Sequence, residues 1–387
     1  MIKIGLIIFF IAVCFEISVG QQRSPVFVGG KDGYSVYRIP AIISQKNVLL
    51  AFCEGRVSGR RDFGDIDIVM KRSMDGGETW SHMAIVVNND SLQAGNPAPV
   101  VDLTDPAYPD GRIFLFYNTG NNHEGEVRKG NGFREVWYKT SIDKGISWSG
   151  PVNITAQVHR PNQPTANPSY HFTEDWRSYA NTPGHGMQFN SGEFRGRIFI
   201  AANHSAGAPQ PEFQDYAAHG FFTDDHGKTF RLGQVVGIAG SNESTAAELS
   251  RGRLMMNSRN QRGDIRARII SISSSGGTKW DTTYFENNLP DPVCEGSLLV
   301  IGKRKGMNIL AFCNAADVKH RDNLTLNISV DDGATWTRKI VVDKATNENV
   351  KDHAAYSDIL KINKREIGIL YERDQYAQIV FTTVKWK

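Results

Sequence analysis

Short runs of β-branched and aromatic residues alternate along the chain with clusters of Gly, Asp, Asn and Ser. The clearest runs are 112–117 (RIFLFY), 197–201 (RIFIA), 309–312 (ILAF) and 366–371 (EIGILY). Each is strand-length and bounded by turn residues, which predicts β-strands. No long stretch carries apolar residues at the helical period, so the pattern predicts a mostly antiparallel all-β chain.

One eight-residue pattern, S/T-x-D-x-G-x-S/T-aromatic, punctuates these strands. It reads SMDGGETW from Ser73 to Trp80, SIDKGISW from Ser141 to Trp148, TDDHGKTF from Thr223 to Phe230 and SVDDGATW from Ser329 to Trp336. A fifth, eroded copy, SSSGGTKW, runs from Ser273 to Trp280 with Ser275 in the aspartate position. The aspartate can accept nearby backbone N–H groups, the glycine permits positive φ, and the aromatic can seal the base of a hairpin. The box is therefore read as a folding device without catalytic role. Recurrence at this spacing implies copies of one supersecondary unit. Five boxes plus one unit lacking the motif predict a six-bladed β-propeller of four-stranded antiparallel blades.

Length changes little in this picture. A chain of 387 residues would ordinarily suggest two or three domains, but a propeller spreads one domain over many blades. No linker-like segment interrupts the repeats, so 21–387 is read as a single propeller domain with no appended module. Residues 1–20 have signal-peptide anatomy: Lys3, then an almost wholly apolar 4–13, then Gly20 before Gln21. The apolar run is too short for a membrane span, so the mature protein is expected to be secreted or periplasmic, without a transmembrane span. Lipoprotein anchoring at Cys14 is disfavoured because no small residue precedes it.

After the leader, three cysteines remain, Cys53, Cys294 and Cys313. An odd number argues against a disulfide framework; Cys294–Cys313 pairing and buried free thiols both stay open. No C-x-x-C or H-E-x-x-H spacing points to a metal, and none is expected. The net charge of +3 is too small to imply nucleic acid. Six N-x-S/T triplets occur, one of them at Asn242.

Three arginines adjoin strands in separate parts of the repeat array: Arg38 in Tyr-Arg-Ile-Pro, Arg259 in Asn-Ser-Arg-Asn and Arg321 in His-Arg-Asp. If inner strands converge on an axis, these guanidiniums can meet and grip an anion, for which a carboxylate has matching planar geometry. On spacing alone, separate surface or ion-paired arginines are the better reading.

The combination of R-I-P, N-E-S-x-x-x-E-L followed by N-S-R, repeated Asp boxes and a late A-Y-S resembles the exo-α-sialidases (neuraminidases) of bacterial and animal type. The likeness extends from Arg38 to Glu372. It implies that Arg38, Arg259 and Arg321 hold the carboxylate of sialic acid. It also implies that Asp62 is the general acid/base, with Asp65 and Asp67 as rivals on the strand that leads into the first box. Glu243 becomes the partner of a tyrosine nucleophile, with Glu248 as its competitor, and Tyr356 becomes that nucleophile. Arg56 resembles an arginine near the sugar's C4 hydroxyl, and Glu372 the acidic residue that fixes Arg38. A glycan on Asn242 would crowd such a site. Tyrosine suits this substrate because the anomeric carbon already bears a carboxylate, which would repel a carboxylate nucleophile.

The resemblance implies retaining hydrolysis of terminal sialic acids from glycoproteins, glycolipids or oligosaccharides, without cofactor. Trans-sialidase action, including the intramolecular kind, uses the same residues. A propeller lectin needs the arginines but not Asp62, Glu243 and Tyr356 together. The segments 96–99 and 184–188 resemble loops near the site, and aromatic residues between His123 and Trp137 are candidates to line the glycerol or N-acyl side.

Overall fold

The computed structural model describes residues 15–17, 23–347 and 350–387. Residues 1–14 and 18–22, which hold most of the expected leader and Cys14, lie outside the described residues.

The chain is all-β and propeller-like. Its units follow one another in sequence, each an antiparallel meander. The first two share an eight-stranded sheet in which Val36–Gln45, Val48–Arg56, Ile66–Ser73 and Ala84–Val87 form one run. Gln93–Asp102, Arg112–Gly120, Arg134–Ser141 and Val152–Asn153 form the second run, and one parallel bridge, Ile66 to Gln93, joins the two. The following sheets begin with Trp176–Asn181, Ser241–Glu248, Gly296–Arg304 and Ala354–Lys361. The three-residue strand Phe15–Ile17 adds in parallel to Arg338–Asp343.

First strands of successive units lie against one another, and Ala354–Lys361 returns to Val36–Gln45, so the ring closes. The last sheet takes its outermost strand, Ser24–Val28, from the start of the chain, paired antiparallel with Gln378–Lys385. This splices the two ends of the propeller within one sheet. The core sits between neighbouring sheets. One cluster joins Ile309, Leu326 and Ile340 to Ile359, Ile369 and Val380 across two sheets. Another joins Val100, Phe114 and Phe116 to Ile198, Ile200 and Phe221.

Each box occupies the turn from the third to the fourth strand of its unit. In the first, Ser73 Oγ donates to Asp75 Oδ1 at 2.7 Å and accepts from Gly77 N at 2.8 Å. Asp75 Oδ1 accepts from Thr79 N at 3.0 Å. Gly77 has φ of +98°, and a Cβ there would strike the ring of Phe381 in the last sheet. The box is thus a turn and also the seat for the neighbouring unit's side chain. The unit without a box has a topological reason: its fourth strand comes from the N-terminal side, so it has no such turn.

Cys53, Cys294 and Cys313 are all buried free thiols, so the Cys294–Cys313 pairing left open by the sequence does not form.

Candidate active site

The inner strands carry an irregularity at one end of the ring. Register shifts fall between Arg38 and Ala41, Gly95 and Ala98, Trp176 and Tyr179, Ser241 and Ser244, and Ala354 and Ser357. A bulge breaks the strict in-out alternation and re-aims a side chain. Here the bulges hold or adjoin Arg38, Asn96, Tyr179, Glu243 and Tyr356, all of which line one cavity of about 270 Å³. Ile39, beside Arg38, takes φ of +60°, an uncommon conformation for a β-branched residue that the Tyr-Arg-Ile-Pro turn holds in place.

Arg259, from the second strand of its unit, and Arg321, from a loop after Met307–Ala315, complete the wall. All three expected arginines therefore reach one pocket, together with Arg56, Asp62, Glu243 and Tyr356. Glu372 lies behind that wall and is buried. Its Oε1 accepts from Arg38 Nε at 2.6 Å and from Ile39 N at 2.9 Å, and its Oε2 accepts from Tyr356 N at 3.3 Å. One carboxylate thus ties the first arginine to the strand that bears the tyrosine.

The Tyr356 hydroxyl donates to the Glu243 carboxylate, 2.7 Å from Oε1 and 2.8 Å from Oε2, and accepts from Arg259 Nη1 at 2.8 Å. Arg259 Nη1 also reaches Glu243 Oε2 at 2.5 Å. Burial, then the Glu243 charge, push the phenol well above its ordinary pKa, against the opposing pull of Arg259 and Arg321. The free site therefore holds a neutral phenol with its proton aimed at a carboxylate.

Asp62 sits on the loop between Val48–Arg56 and Ile66–Ser73, its side chain 73% exposed at the mouth. It accepts from Arg56 Nη1 at 2.7 Å. Desolvation by the pocket walls pushes its carboxyl up, but Arg56 beside it, and Arg38 and Arg321 beyond, outweigh this and hold it below the ordinary carboxylate range. Arg56 is itself pinned by Glu54 Oε2 at 2.6 Å and 2.9 Å.

The rivals stand elsewhere. Asp67 is buried and accepts from Tyr34 OH at 2.5 Å and Asn88 Nδ2 at 2.8 Å. Glu248 closes its strand at the opposite end of the ring, where it binds Asn190 N at 2.8 Å. His185 also faces that opposite end and pairs with Asp358 at 2.6 Å, so only Asn96 of the two candidate loops reaches the pocket. The expectation of aromatic residues between His123 and Trp137 is corrected: neither Phe133 nor Trp137 lines the pocket, half-buried Trp137 packs against a core cluster, and Glu124 and Arg134 supply the lining. These two, with Tyr179 and Tyr376, are site residues that sequence reasoning missed. Asn242 lines the pocket, so a glycan on it would occupy the cavity.

Residues 47–369 match the family described as BNR repeat-like domain. The chain is 29% identical to a sialidase of Micromonospora viridifaciens, over 89% of this chain and 51% of that protein. It is 27% identical to a sialidase of Bacteroides fragilis, over 92% of this chain and 63% of that protein. It therefore spans between half and two thirds of these curated relatives. Among solved structures, the Hadza microbial sialidase Hz136 superposes with a TM-score of 0.77 at 25% identity, covering 94% of this chain and 68% of that one.

Proposed function

Because the chain belongs to the BNR repeat-like domain family, with sialidases as its curated relatives, we propose that it is a retaining exo-α-sialidase acting on terminal sialic acids of glycoconjugates. The observation that carries this is the contact of Tyr356 OH with both Glu243 and Arg259 in a pocket that also holds Arg38, Arg321 and Asp62.

In this reading the carboxylate of the sugar lies against the guanidiniums of Arg38, Arg259 and Arg321. Asp62 protonates the glycosidic oxygen as its bond to the anomeric carbon breaks. The Tyr356 oxygen forms the new bond to that carbon while its proton passes to Glu243. In the second half, Asp62 takes a proton from water, and the water oxygen displaces the tyrosyl oxygen, which recovers its proton from Glu243. Configuration is retained by two inversions. The carboxylate of the substrate neutralises part of the field that depresses Asp62, so binding itself raises the acid's proton affinity.

We further read the eight-stranded sheet as two blades joined by a single bridge, which with the four other sheets gives a six-bladed, single-domain propeller. Export behind a signal peptide is part of the same proposal and rests on the composition of 1–20.

The test is a fluorogenic sialoside with the anomer of the first product followed by proton NMR, and mass spectrometry after reaction with a 3-fluorosialyl fluoride. α-Sialic acid released first, and a fluorosialyl adduct on Tyr356, are expected. β-Sialic acid first, or no adduct on Tyr356, defeats the mechanism. Lactose added to the same assay separates hydrolysis from transfer through the appearance of sialyl-lactose.

A further inference from the structure

The three pocket arginines are not held alike. Arg38 is fixed by the carboxylate of Glu372 at 2.6 Å and Arg259 by that of Glu243 at 2.5 Å. Among the described residues Arg321 has no carboxylate partner. Its guanidinium donates to Tyr376 OH at 3.2 Å and to Val293 O at 3.3 Å.

Tyr376 occupies a place that the backbone does not favour. Asp374, Gln375 and Tyr376 take φ of 54°, 56° and 68° in succession, a left-handed run with no glycine in it. The turn is held from several sides. Asp374 N donates to His353 O at 2.9 Å, and Gln375 N to Asp352 O at 3.0 Å. The Asp374 carboxylate accepts from Arg373 at 2.6 Å and Gln378 at 3.0 Å. A bulky residue in a disfavoured conformation persists only where its surroundings over-determine it, and such positions cluster at functional sites.

The turn delivers an aromatic ring with three contacts. Arg38 Cζ lies 4.1 Å from the ring centroid, and Arg60 Cζ, on the loop that carries Asp62, lies 5.5 Å from it. The hydroxyl faces Arg321. One buried side chain therefore touches two of the carboxylate-binding arginines and the loop of the acid.

We propose that Tyr376 is a positioning residue that orients Arg321 without neutralising it. A carboxylate in its place would aim the guanidinium equally well but cancel the charge that the substrate's carboxylate needs. A phenol hydroxyl accepts the hydrogen bond and stays neutral. Its ring meanwhile offers the face of its π-system to Arg38 and Arg60, which steadies both guanidiniums without adding a further negative charge. The inference rests on the sialidase reading above.

The experiment compares wild type, Tyr376→Phe and Tyr376→Glu with a fluorogenic sialoside and with two probes. One probe is the 2,3-unsaturated analogue of sialic acid; the other is the same analogue with its carboxylate replaced by a carboxamide. Tyr376→Phe keeps the ring and loses the hydroxyl. It should raise KM about tenfold or more while kcat stays within about threefold, since binding to a fixed charge is lost equally from ground and transition states. Its affinity for the carboxylate probe should fall in step, with no change for the carboxamide. Tyr376→Glu should bind the carboxylate probe more weakly than Tyr376→Phe. Unchanged KM in Tyr376→Phe, equal weakening for both probes, or Tyr376→Glu matching wild type each overturn the assignment. A wild type that neither cleaves the sialoside nor binds the carboxylate probe defeats the sialidase reading instead.

Discussion

The hydroxyl of Tyr356 lies 2.7 Å from one carboxylate oxygen of Glu243 and 2.8 Å from the other, so its one proton faces both oxygens of a single base. The residues are far apart in sequence and meet only because each sits at a bulge in the first strand of its sheet. The pairing solves a specific problem. Burial makes the phenolate costly, and Glu243 adds to that cost until it takes the proton, whereupon the cost turns to attraction for Arg259 and Arg321.

On the proposed mechanism, Tyr356→Phe removes the nucleophilic oxygen and little else. The ring stays in its apolar setting beside Ile39, Ala355 and Tyr376. Loss of covalent catalysis should lower kcat by about 10³-fold or more. Melting temperature should change by no more than a few degrees. Steady-state turnover of an aryl sialoside and a circular-dichroism melt check both halves. Turnover within tenfold of wild type would remove Tyr356 from the mechanism.

On the proposed mechanism, Asp62 sets the pH profile. As a general acid it must be protonated when the leaving oxygen departs, yet Arg56, Arg38 and Arg321 hold it low in the free site. Activity should therefore fall as pH rises above the acidic range. The limb should lie higher in kcat than in kcat/KM, because bound substrate answers Arg38 and Arg321. Arg56→Met removes the nearest cation. The acid's pKa then rises and the limb of kcat/KM moves upward. A downward shift, or none, means that another group supplies the proton. Asp62→Asn adds a second check: it should spare a nitrophenyl sialoside far more than sialyl-lactose, whose leaving oxygen needs the proton.

The boxes were legible because their chemistry is local. Ser73, Asp75, Gly77 and Thr79 bond to one another within seven consecutive positions, so a linear pattern records them in full. Their contacts to the next sheet, such as Gly77 on Phe381, leave no such mark. Arg38, Asp62, Glu243 and Tyr356 were picked out through the likeness of their motifs, because nothing in their spacing says that they converge. The bulges that aim them depend on strand register across pairs of strands and are silent in one-dimensional alternation. Tyr376 was missed for the same reason, since its role follows from a left-handed turn that contains no glycine to announce it. Glu124 and Arg134 line the pocket, yet along the sequence they look like any other charged residues in a polar stretch.

Three buried histidines behind the pocket wall predict acid sensitivity. His204 stacks on Trp176 with centroids 3.5 Å apart, its Nδ1 lies 3.1 Å from that of His219, and His159 packs 4.7 Å from the ring of Tyr179. Burial depresses all three, with His219 brought down to about 3, and their mutual proximity and Arg160 add to the effect. The folded state keeps them neutral, while the unfolded chain protonates them below about pH 6.5. Stability is therefore full above that pH and is lost as pH falls toward the folded values. Each histidine contributes a slope of up to about 1.4 kcal/mol per pH unit across its window. Urea unfolding of wild type and His219→Leu between pH 7 and 4 measures it. The variant should be less stable at pH 7 but flatter with pH, and equal slopes would exclude His219 from the linkage. On the proposed mechanism the protein is thus squeezed between an acid that needs low pH and a fold that does not.

The eroded box of the fourth unit offers a substitution that should stabilise. Ser275 stands where the other boxes have aspartate, and its hydroxyl still accepts from Lys279 N at 2.9 Å. Ser273 Oγ still accepts from Gly277 N at 3.0 Å. The turn is therefore already formed, and Ser275→Asp asks nothing new of the backbone. In the intact boxes the carboxylate also accepts a hydroxyl, as Thr335 Oγ1 reaches Asp331 Oδ2 at 2.6 Å, and box hydrogen bonds hold Asp143 down to about 2 despite desolvation. Position 279 has no hydroxyl, so the single variant recovers the backbone bond to a charged acceptor and should gain about 0.5–1.5 kcal/mol. Ser275→Asp with Lys279→Thr should gain further. Gly277→Ala provides the opposite sign: φ is +89°, and a Cβ would meet the ring of Phe199 and approach Leu254 Cδ2 at 3.1 Å. Urea denaturation at pH 7 ranks the four proteins. If Ser275→Asp proves neutral or destabilising while Gly277→Ala is tolerated, the box contributes neither its hydrogen bonds nor its seat to the ring, and the repeat is merely a recurring turn.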